Sequence, residues 1–570
     1  MPNGEALTVP HLCLRAAAQW PGALAVVDGD RRVSFAELAY RMIEAAAAFV
    51  AAGLKPGERV ALWLPNSLDY MVACLGLQAA GGVLVPLNTR FKSSEVRYIL
   101  SRSGASMVVV VDEFLGTRYA EVIGSLELPA VRRVVRIGSA GEDGWGAFVS
   151  VAGFRSRAEA HGRLAELLPS ALSDIMFTSG TTGDPKGAMA THEQTVRTAR
   201  MWMRATGIHE ADRFLILWPF FHTSGYKAGF VVCLAAGATV LPQARLDVPE
   251  LLNTVEREQV TFLPGPPTLF NTLLATPDFN PMRLKSVRVS VTGASSVASS
   301  LIEAMRLTLS IPTVLTGYGL TETCGTATMT CPEDPPELVA HSCGRAIEGV
   351  EVRVMRADGS FAGAGEAGEV VIRGMNVMLG YLDDPVSTQQ AIDSDGWLHT
   401  GDVGFLDPDG YLTLTDRQKD MFIVGGFNCY PAEIERMLAA HPAILQVAVM
   451  GVPDERLGEV GRAFVVLKPG ASVDAPGLIE WSRERMANFK VPRSVVFLES
   501  LPVTATGKVQ KFKLRSPGRA RTPRRCPDRR RCTSSLGRSA LPGAAFPVKG
   551  WTGCGRRWPP LDDRVKCRTR

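Results

Sequence analysis

No C-x-x-C pair occurs in the 570 residues. The eleven cysteines are scattered and odd in number, and Cys324, Cys331 and Cys343 with His341 fit no zinc spacing. Small buried thiols in a reduced cytosol are expected, not a disulfide framework or a metal cluster. The start, MPNGEALTVPHLCLR, lacks a basic segment followed by an apolar run. No secretory signal is therefore expected, and the expected location is cytoplasmic. There is no internal repeat. Two uncharged stretches, 70–89 and 228–244, raise the question of a membrane span. Gln78, Gly81-Gly82 and Pro86 interrupt the first and Gly237 the second, so each reads as helix, turn and strand, with no transmembrane segment.

What is present fits a soluble globular protein: 46% hydrophobic and 21% charged residues. The length calls for two or more domains. The net charge of +5 is uneven. Residues 516–570 hold 15 Lys/Arg against 3 Asp/Glu, and the rest of the chain 47 against 54. The body is mildly acidic, so overall charge gives no case for nucleic-acid binding by the folded part.

Along the chain, apolar strand-like runs (60–64, 83–87, 107–111, 213–217, 260–263, 287–291, 313–315) alternate with helical patterns (68–80, 94–101, 193–206, 251–258, 301–309). Ser34 and Glu37 form a capping-box pattern before an Ala-rich helix ending at Gly53. The alternation predicts α/β layering with parallel strands. From residue 351, short strands (350–355, 369–373, 404–406, 411–415) separated by Asp-Gly turns predict a β-rich subdomain. A compact α+β stretch follows to 515, with helices at 432–440 and 476–487 and strands near 445–450, 462–467 and 494–498. Residues 516–570, rich in Arg, Pro, Gly and Cys, carry no helical or strand period and read as disordered. A reading-frame change near Arg515 is the reading preferred over a basic anchor; resequencing the gene there checks it. The expected division is 1–415, 416–515 and 516–570.

The stretch TSGTTGDPKG, 178–187, follows apolar Ile175, Met176 and Phe177 and reads as a loop leaving a strand. Its glycines let backbone N–H groups approach an anion, its hydroxyls donate further, and Lys186 adds charge. It is not a Walker A loop: Pro185 stands where the second Gly would be, and Gly187 follows the Lys. Taken alone, it is equally a flexible polar turn. Two more strands run into small or hydroxyl-rich loops, 292–296 and TGYGLTET at 316–323. Ligands bind beyond the carboxyl ends of strands in open α/β sheets, so these loops predict one shared pocket.

Five stretches in order carry a resemblance: TSGTTGDPKG, TGYGLTET, GWLHTGDVG at 396–404, DRQKDMFIVGGFNCYPAEIE at 416–435 and TATGKVQK at 504–511. Together they resemble the adenylate-forming superfamily of acyl-CoA synthetases, firefly luciferase and peptide-synthetase adenylation domains, over about residues 8–515. PFFHTSGYKAG, LPGPPT, GVPDERLGEVGRAFVV and ANFKVPRS are most similar to actinobacterial ligases acting on a steroid ring-fragment propanoate. The resemblance implies a large N-terminal domain of layered α/β subdomains plus the β-rich subdomain, and a small mobile α+β C-terminal domain.

It also implies a reaction in two halves: a carboxylate attacks ATP to give acyl-AMP and pyrophosphate, then CoA displaces AMP. Such chemistry depends on alignment and charge neutralisation. Thr178, Ser179, Gly180, Thr181, Thr182, Gly183 and Lys186 would hold the β/γ-phosphates. Glu322 would carry Mg²⁺, with Thr321 beside it; one carboxylate suffices for a phosphate-bridging ion. Gly293, Ala294 and Ser295 with Gly317, Tyr318 and Gly319 would form the adenine slot, Asp402 would reach the ribose, and Arg417 the ribose or phosphate. Lys508 would bridge the carboxylate and α-phosphate. Lys419 occupies the hinge position, and Gly426 borders the CoA tunnel. His222 would sit at the acyl-pocket gate, with Phe221, Tyr226, Lys227, Pro264–Pro267, Thr323 and Cys324 as lining candidates.

Each residue also has a plainer reading: Glu322 a helix-cap acid, Asp402 an Asx turn, Arg417 and Lys508 surface cations, Gly426 a tight turn, Tyr318 and His222 core residues. No acid lies in 218–229 to pair a substrate amine, which disfavours an amino-acid substrate. Lys227 leans toward a keto-bearing acid; fatty and aryl acids stay open. Two other functions stand against the CoA ligase. An acyl-AMP ligase loading a carrier protein would need an insertion that 323–396 lacks, and nucleic-acid binding would rest on the basic tail alone. The expected partners are a small-molecule carboxylic acid, ATP and CoA.

Overall fold

The computed structural model describes residues 7–178, 184–274, 276, 279–293, 299–417, 422–429, 431–502, 511 and 514. Runs such as Met107–Val111 (MVVVV) are too apolar to leave in water, and this one is a buried strand of a seven-stranded sheet. Its order is Gly380–Tyr381, Lys186–Thr191, Leu172–Thr178, Val83–Pro86, Arg59–Trp63, Met107–Val111 and Arg133–Ile137. The last five pair in parallel, as the α/β alternation predicts, and the first two add antiparallel at one edge.

A second layer holds Arg213–Ile216, Thr239–Pro242, Leu24–Asp28 and Arg31–Ser34, and another four strands begin with Val289–Gly293 and Thr313–Tyr318. The expected strand at 260–263 is not one. Phe262 makes only isolated bridges, to Phe214 on one side and Val289 on the other. Pro264, Pro266 and Pro267 remove the donors a longer ladder needs.

The helix Phe35–Ala51 begins at its Ser34 cap, whose Oγ accepts from Glu37 N at 3.2 Å. Glu37 does not complete the capping box; its carboxylate pairs with Arg41 one turn on. This helix packs on Leu68–Ala79 so tightly that a Cβ at Gly76 would lie 2.4 Å from Ala45 Cβ. The two uncharged stretches do fold as helix, turn and strand: Leu68–Ala79 then Val83–Pro86, and Val232–Ala236 then Thr239–Pro242. Among the described residues no helix is long and apolar enough to cross a membrane.

The β-rich region is a four-stranded antiparallel sheet of Val350–Met355, Gly368–Gly374, Leu398–Leu406 and Leu412–Arg417. Its third strand starts six residues earlier than the sequence suggests and carries most of GWLHTGDVG. Residues 422–497 form a five-stranded sheet around Gly458–Leu467 with helices Pro431–Ala439 and Ala475–Arg483, over a separate core centred on Phe422, Ile434, Val465 and Leu478. Residues 516–570, including the expectation that they are disordered, lie outside the described residues.

Candidate active site

The strand Leu172–Thr178 delivers Thr178 to its carboxyl end, and Lys186–Thr191 returns antiparallel with Lys186 opposite Thr178. These antiparallel strands flank the anion-loop candidate, whose Ser179, Gly180, Thr181, Thr182 and Gly183 lie outside the described residues. The edge strand Gly380–Tyr381 pairs with the returning strand, placing Tyr381 opposite Ala188.

Glu322 sits in a short 3-10 turn, Thr321–Thr323, just past the strand Thr313–Tyr318. Its Oε1 accepts from the Tyr381 hydroxyl at 2.9 Å and the Thr178 hydroxyl at 3.4 Å. Its backbone carbonyl accepts from Met378 N at 2.8 Å. Lys186 Nζ lies 5.2 Å from the centre of the Tyr381 ring. Thr178, Lys186, Glu322 and Tyr381 thus form one cluster. Oε2 of Glu322 accepts no bond from the described residues, leaving a hard anionic ligand for a cation of the kind phosphates bring. Among the described residues no cluster of three or more metal-ligating side chains occurs, so any ion here takes its other ligands elsewhere.

The base-slot candidates also converge. Gly293 and Gly317 are neighbours in parallel strands, and a Cβ at Gly293 would lie 3.1 Å from Gly317 O. At Gly319 a Cβ would clash at 2.5 Å with Gly325 O. Tyr318 is buried, and its hydroxyl donates to Asp402 Oδ2 at 2.6 Å. Asp402 is held from behind: its N–H donates to Thr400 Oγ1, and Gly401 N donates to Glu369 Oε1. Arg417 stands opposite Asp402 in the adjoining strand. Ala294, Ser295, Lys419 and Lys508 lie outside the described residues.

The segment 218–229, expected to be a loop, turns helical from Thr223. Gly225 permits this, because a Cβ there would lie 2.2 Å from Pro219 O. His222 caps the turn, its Nδ1 2.9 Å from Ser224 Oγ. The residue reaches the surface, while desolvation by the protein packed around its ring lowers the pKa to about 4. Its neighbour Thr223 touches Gly325, where a Cβ would lie 2.6 Å from Thr223 Cβ. That contact joins the gate segment to the Glu322 turn.

Two lining candidates face inward instead. Tyr226 is fully buried, taking a 2.8 Å bond from Gln78 Nε2. Lys227 is 2% exposed and pairs with Asp174 at 3.0 Å, with Cys324 Sγ at 3.5 Å. Burial opposes its charge, but Asp174 and Cys324 together outweigh it and raise the pKa. The expectation that Lys227 meets a substrate oxygen is not what this geometry favours: its charge is already answered. Sequence reasoning missed Tyr381, Glu369 and Asp174; a Gly-Tyr pair and two lone acids carry no local signal.

Gly426, with φ +88°, brings its turn onto Pro266, where a Cβ would lie 3.3 Å from Pro266 Cβ. The antiparallel pair with Glu322 beside it, the close Gly293–Gly317 strands and the Gly426 turn on Pro266 are the arrangement a nucleotide-dependent acid-activating enzyme would need.

The chain belongs to the AMP-binding enzyme family: residues 13–382 match it, and residues 433–508 match the AMP-binding enzyme C-terminal domain. It is 48% identical over 516 residues to a 3-(7a-methyl-1,5-dioxo-octahydro-1H-inden-4-yl)propanoyl:CoA ligase of Rhodococcus jostii, covering 89% of this chain and 98% of that one. A ligase of the same description from Mycobacterium tuberculosis is 46% identical, covering 90% and 99%. Among solved structures, o-succinylbenzoate CoA synthetase from Bacillus subtilis aligns with a TM-score of 0.76 at 29% identity, over 88% of this chain and 97% of that one. The protein is an AMP-forming, ATP-dependent carboxylic acid–CoA ligase.

Proposed function

We propose that the acid this ligase activates is a steroid-derived, keto-bearing bicyclic propanoate, and that the reaction needs Mg²⁺ and runs in the cytoplasm. The support for the acid is the identity of 46–48% to two ligases described by that propanoyl group. The observation that carries the site is the convergence of the Thr178 and Tyr381 hydroxyls on one oxygen of Glu322, with Lys186 over the Tyr381 ring.

In this reading the 178–187 hairpin holds the β- and γ-phosphates, with Lys186 neutralising charge. Glu322 would hold the Mg²⁺, which would supply charge neutralisation on the phosphates. Gly293, Gly317 and Tyr318 receive the adenine, Asp402 and Arg417 the ribose, and Lys508 steadies the charge at the α-phosphate as the carboxylate attacks. His222 Nδ1 is engaged by Ser224, and the neutral ring orients the acid at the gate. Gly426 leaves room for the CoA arm. The chain divides at about residue 416, with Lys419 as hinge. Hinge residues absorb the backbone change when domains move between steps.

The test is an acid panel at equal concentration, scored for ATP- and CoA-dependent thioester. Bicyclic keto-propanoates are expected to give a kcat/KM at least tenfold above medium-chain fatty and aryl acids, a gap of about 1.4 kcal/mol. A linear fatty acid as the best substrate would overturn the assignment.

A further inference from the structure

Lys490 lies in the ANFKVPRS stretch, in a turn beyond the helix Ala475–Arg483, and only 3% of its side chain is exposed. Its Nζ is 2.6 Å from Glu95 Oε1 and 2.7 Å from Glu433 Oε1. Glu433 belongs to the same small sheet-and-helix unit, on the helix Pro431–Ala439. Glu95 does not: it stands in the first turn of Ser93–Ser103, in the layer that carries the seven-stranded sheet. The same carboxylate caps that helix, Oε2 accepting from Lys92 N at 2.9 Å.

Aromatic rings close the junction on both sides. Nζ lies 4.9 Å from the centre of Phe91 and 5.7 Å from that of Phe489. Phe91 packs into the core of the small unit. Phe489 stacks on Phe427 at 4.6 Å, and Arg90 lies over the Phe427 ring at 5.6 Å. Phe427 directly follows Gly426, the glycine whose turn rests on Pro266. The charged junction and the glycine turn thus belong to one contact surface.

A lone buried ammonium is strongly disfavoured, and so is a lone buried carboxylate. If the surface opens, Lys490 keeps Glu433 but loses Glu95. The Glu95–Lys490 bond therefore reports on one relative placement of the two units and stabilises that placement alone.

We propose that Glu95 and Lys490 are positioning residues for the thioester-forming step, locking the arrangement in which Gly426 faces Pro266, and contribute nothing to formation of acyl-AMP. The proposal rests on the two-step ligase chemistry and not on which acid is used.

Two single-turnover assays test it: pyrophosphate release from acid and ATP without CoA, and thioester formation from preformed acyl-AMP plus CoA. Glu95→Gln keeps the helix-capping oxygen and removes the charge. It is expected to slow the second assay about tenfold, the scale of one charge-assisted hydrogen bond, and to leave the first within about twofold. Lys490→Gln should show the same split. Amide hydrogen exchange in apo Glu95→Gln provides a readout without substrate. Segments 90–97 and 486–491 should exchange faster together, while 172–178 is unchanged. Equal losses in both assays, or no loss in either, would overturn the proposal. Wild-type enzyme failing the first assay with every acid would count against the ligase reading instead, and the exchange result would still judge the junction.

Discussion

The Tyr381 hydroxyl donates to Glu322 Oε1 across 2.9 Å, while Lys186 Nζ lies 5.2 Å from the centre of the same ring. One side chain therefore ties the returning strand of the phosphate-type hairpin to the carboxylate that faces it. The hydrogen bond occupies one oxygen of Glu322 and leaves the other without a bond from the described residues.

Tyr381→Phe should leave the ring, and so the Lys186 contact, in place while freeing Glu322 to turn. We expect the rate of acyl-AMP formation to fall about tenfold, as for loss of one hydrogen bond to a charged group. The Mg²⁺ concentration for half-maximal rate should rise severalfold, with thermal stability almost unchanged. Steady-state rates across a Mg²⁺ titration check this; an unchanged Mg²⁺ dependence would mean that Tyr381 only packs.

The Lys227–Asp174 pair, 2% and 1% exposed, leads to a different expectation. Asp174 Oδ2 takes the Ser173 and Thr195 hydroxyls at 2.6 and 3.3 Å, so the pair is the centre of a buried polar network. Lys227→Met strands the carboxylate and should cost about 3–5 kcal/mol of stability. Adding Asp174→Leu should recover much of that loss. Denaturant unfolding of the single and double variants measures both. A stable Lys227→Met enzyme that had lost only its preference for keto-acids would show the ammonium facing substrate instead.

Local chemistry made some of this legible and distance hid the rest. The 178–187 loop announces itself because small and hydroxyl residues cluster after an apolar strand. Tyr381 could not, since its two-residue strand pairs with residues nearly two hundred positions earlier. Glu322, Asp402 and Gly426 carried meaning only through the family motifs; the contacts at Thr178, Tyr318 and Pro266 then gave them neighbours. The sequence from Thr223 reads as loop because Gly225 and Gly229 argue against helix. Burial of Tyr226 and Phe230 overrides that propensity, and Gly229 takes a non-helical φ/ψ of −109°/−107° inside it.

Glu258 supplies the clearest pH dependence. Its carboxylate, 4% exposed, is shared by Arg32, Arg213 and Arg257 at 2.7–3.0 Å. The Arg32 hydrogen bond leads these effects, and the pKa falls from 4.5 to about 2. A depressed pKa contributes stability that is complete above 4.5 and is lost as pH falls toward 2. Arg32 and Arg257 are about half exposed, so screening limits the loss to about 2 kcal/mol. Glu258→Gln should flatten the stability curve between pH 4.5 and 2 relative to wild type; parallel curves would show that other carboxylates control acid unfolding.

The last expectation concerns residues 516–570, which carry 15 Lys/Arg against 3 Asp/Glu beside a body of 47 against 54. Attraction to polyanions follows local charge and weakens with salt. Deleting 516–570 should therefore convert a protein retained on heparin at low salt into one that flows through, because the remaining body is net acidic. The site described above draws all its named residues from Thr178 to Lys508. The truncated enzyme should keep its kcat/KM for acid, ATP and CoA within about twofold, since the deletion removes none of those residues. Heparin elution and thioester formation on the same preparations measure the two effects side by side. Loss of ligation on truncation, with retention on heparin unchanged, would place the tail's role in the catalytic body and not in its charge.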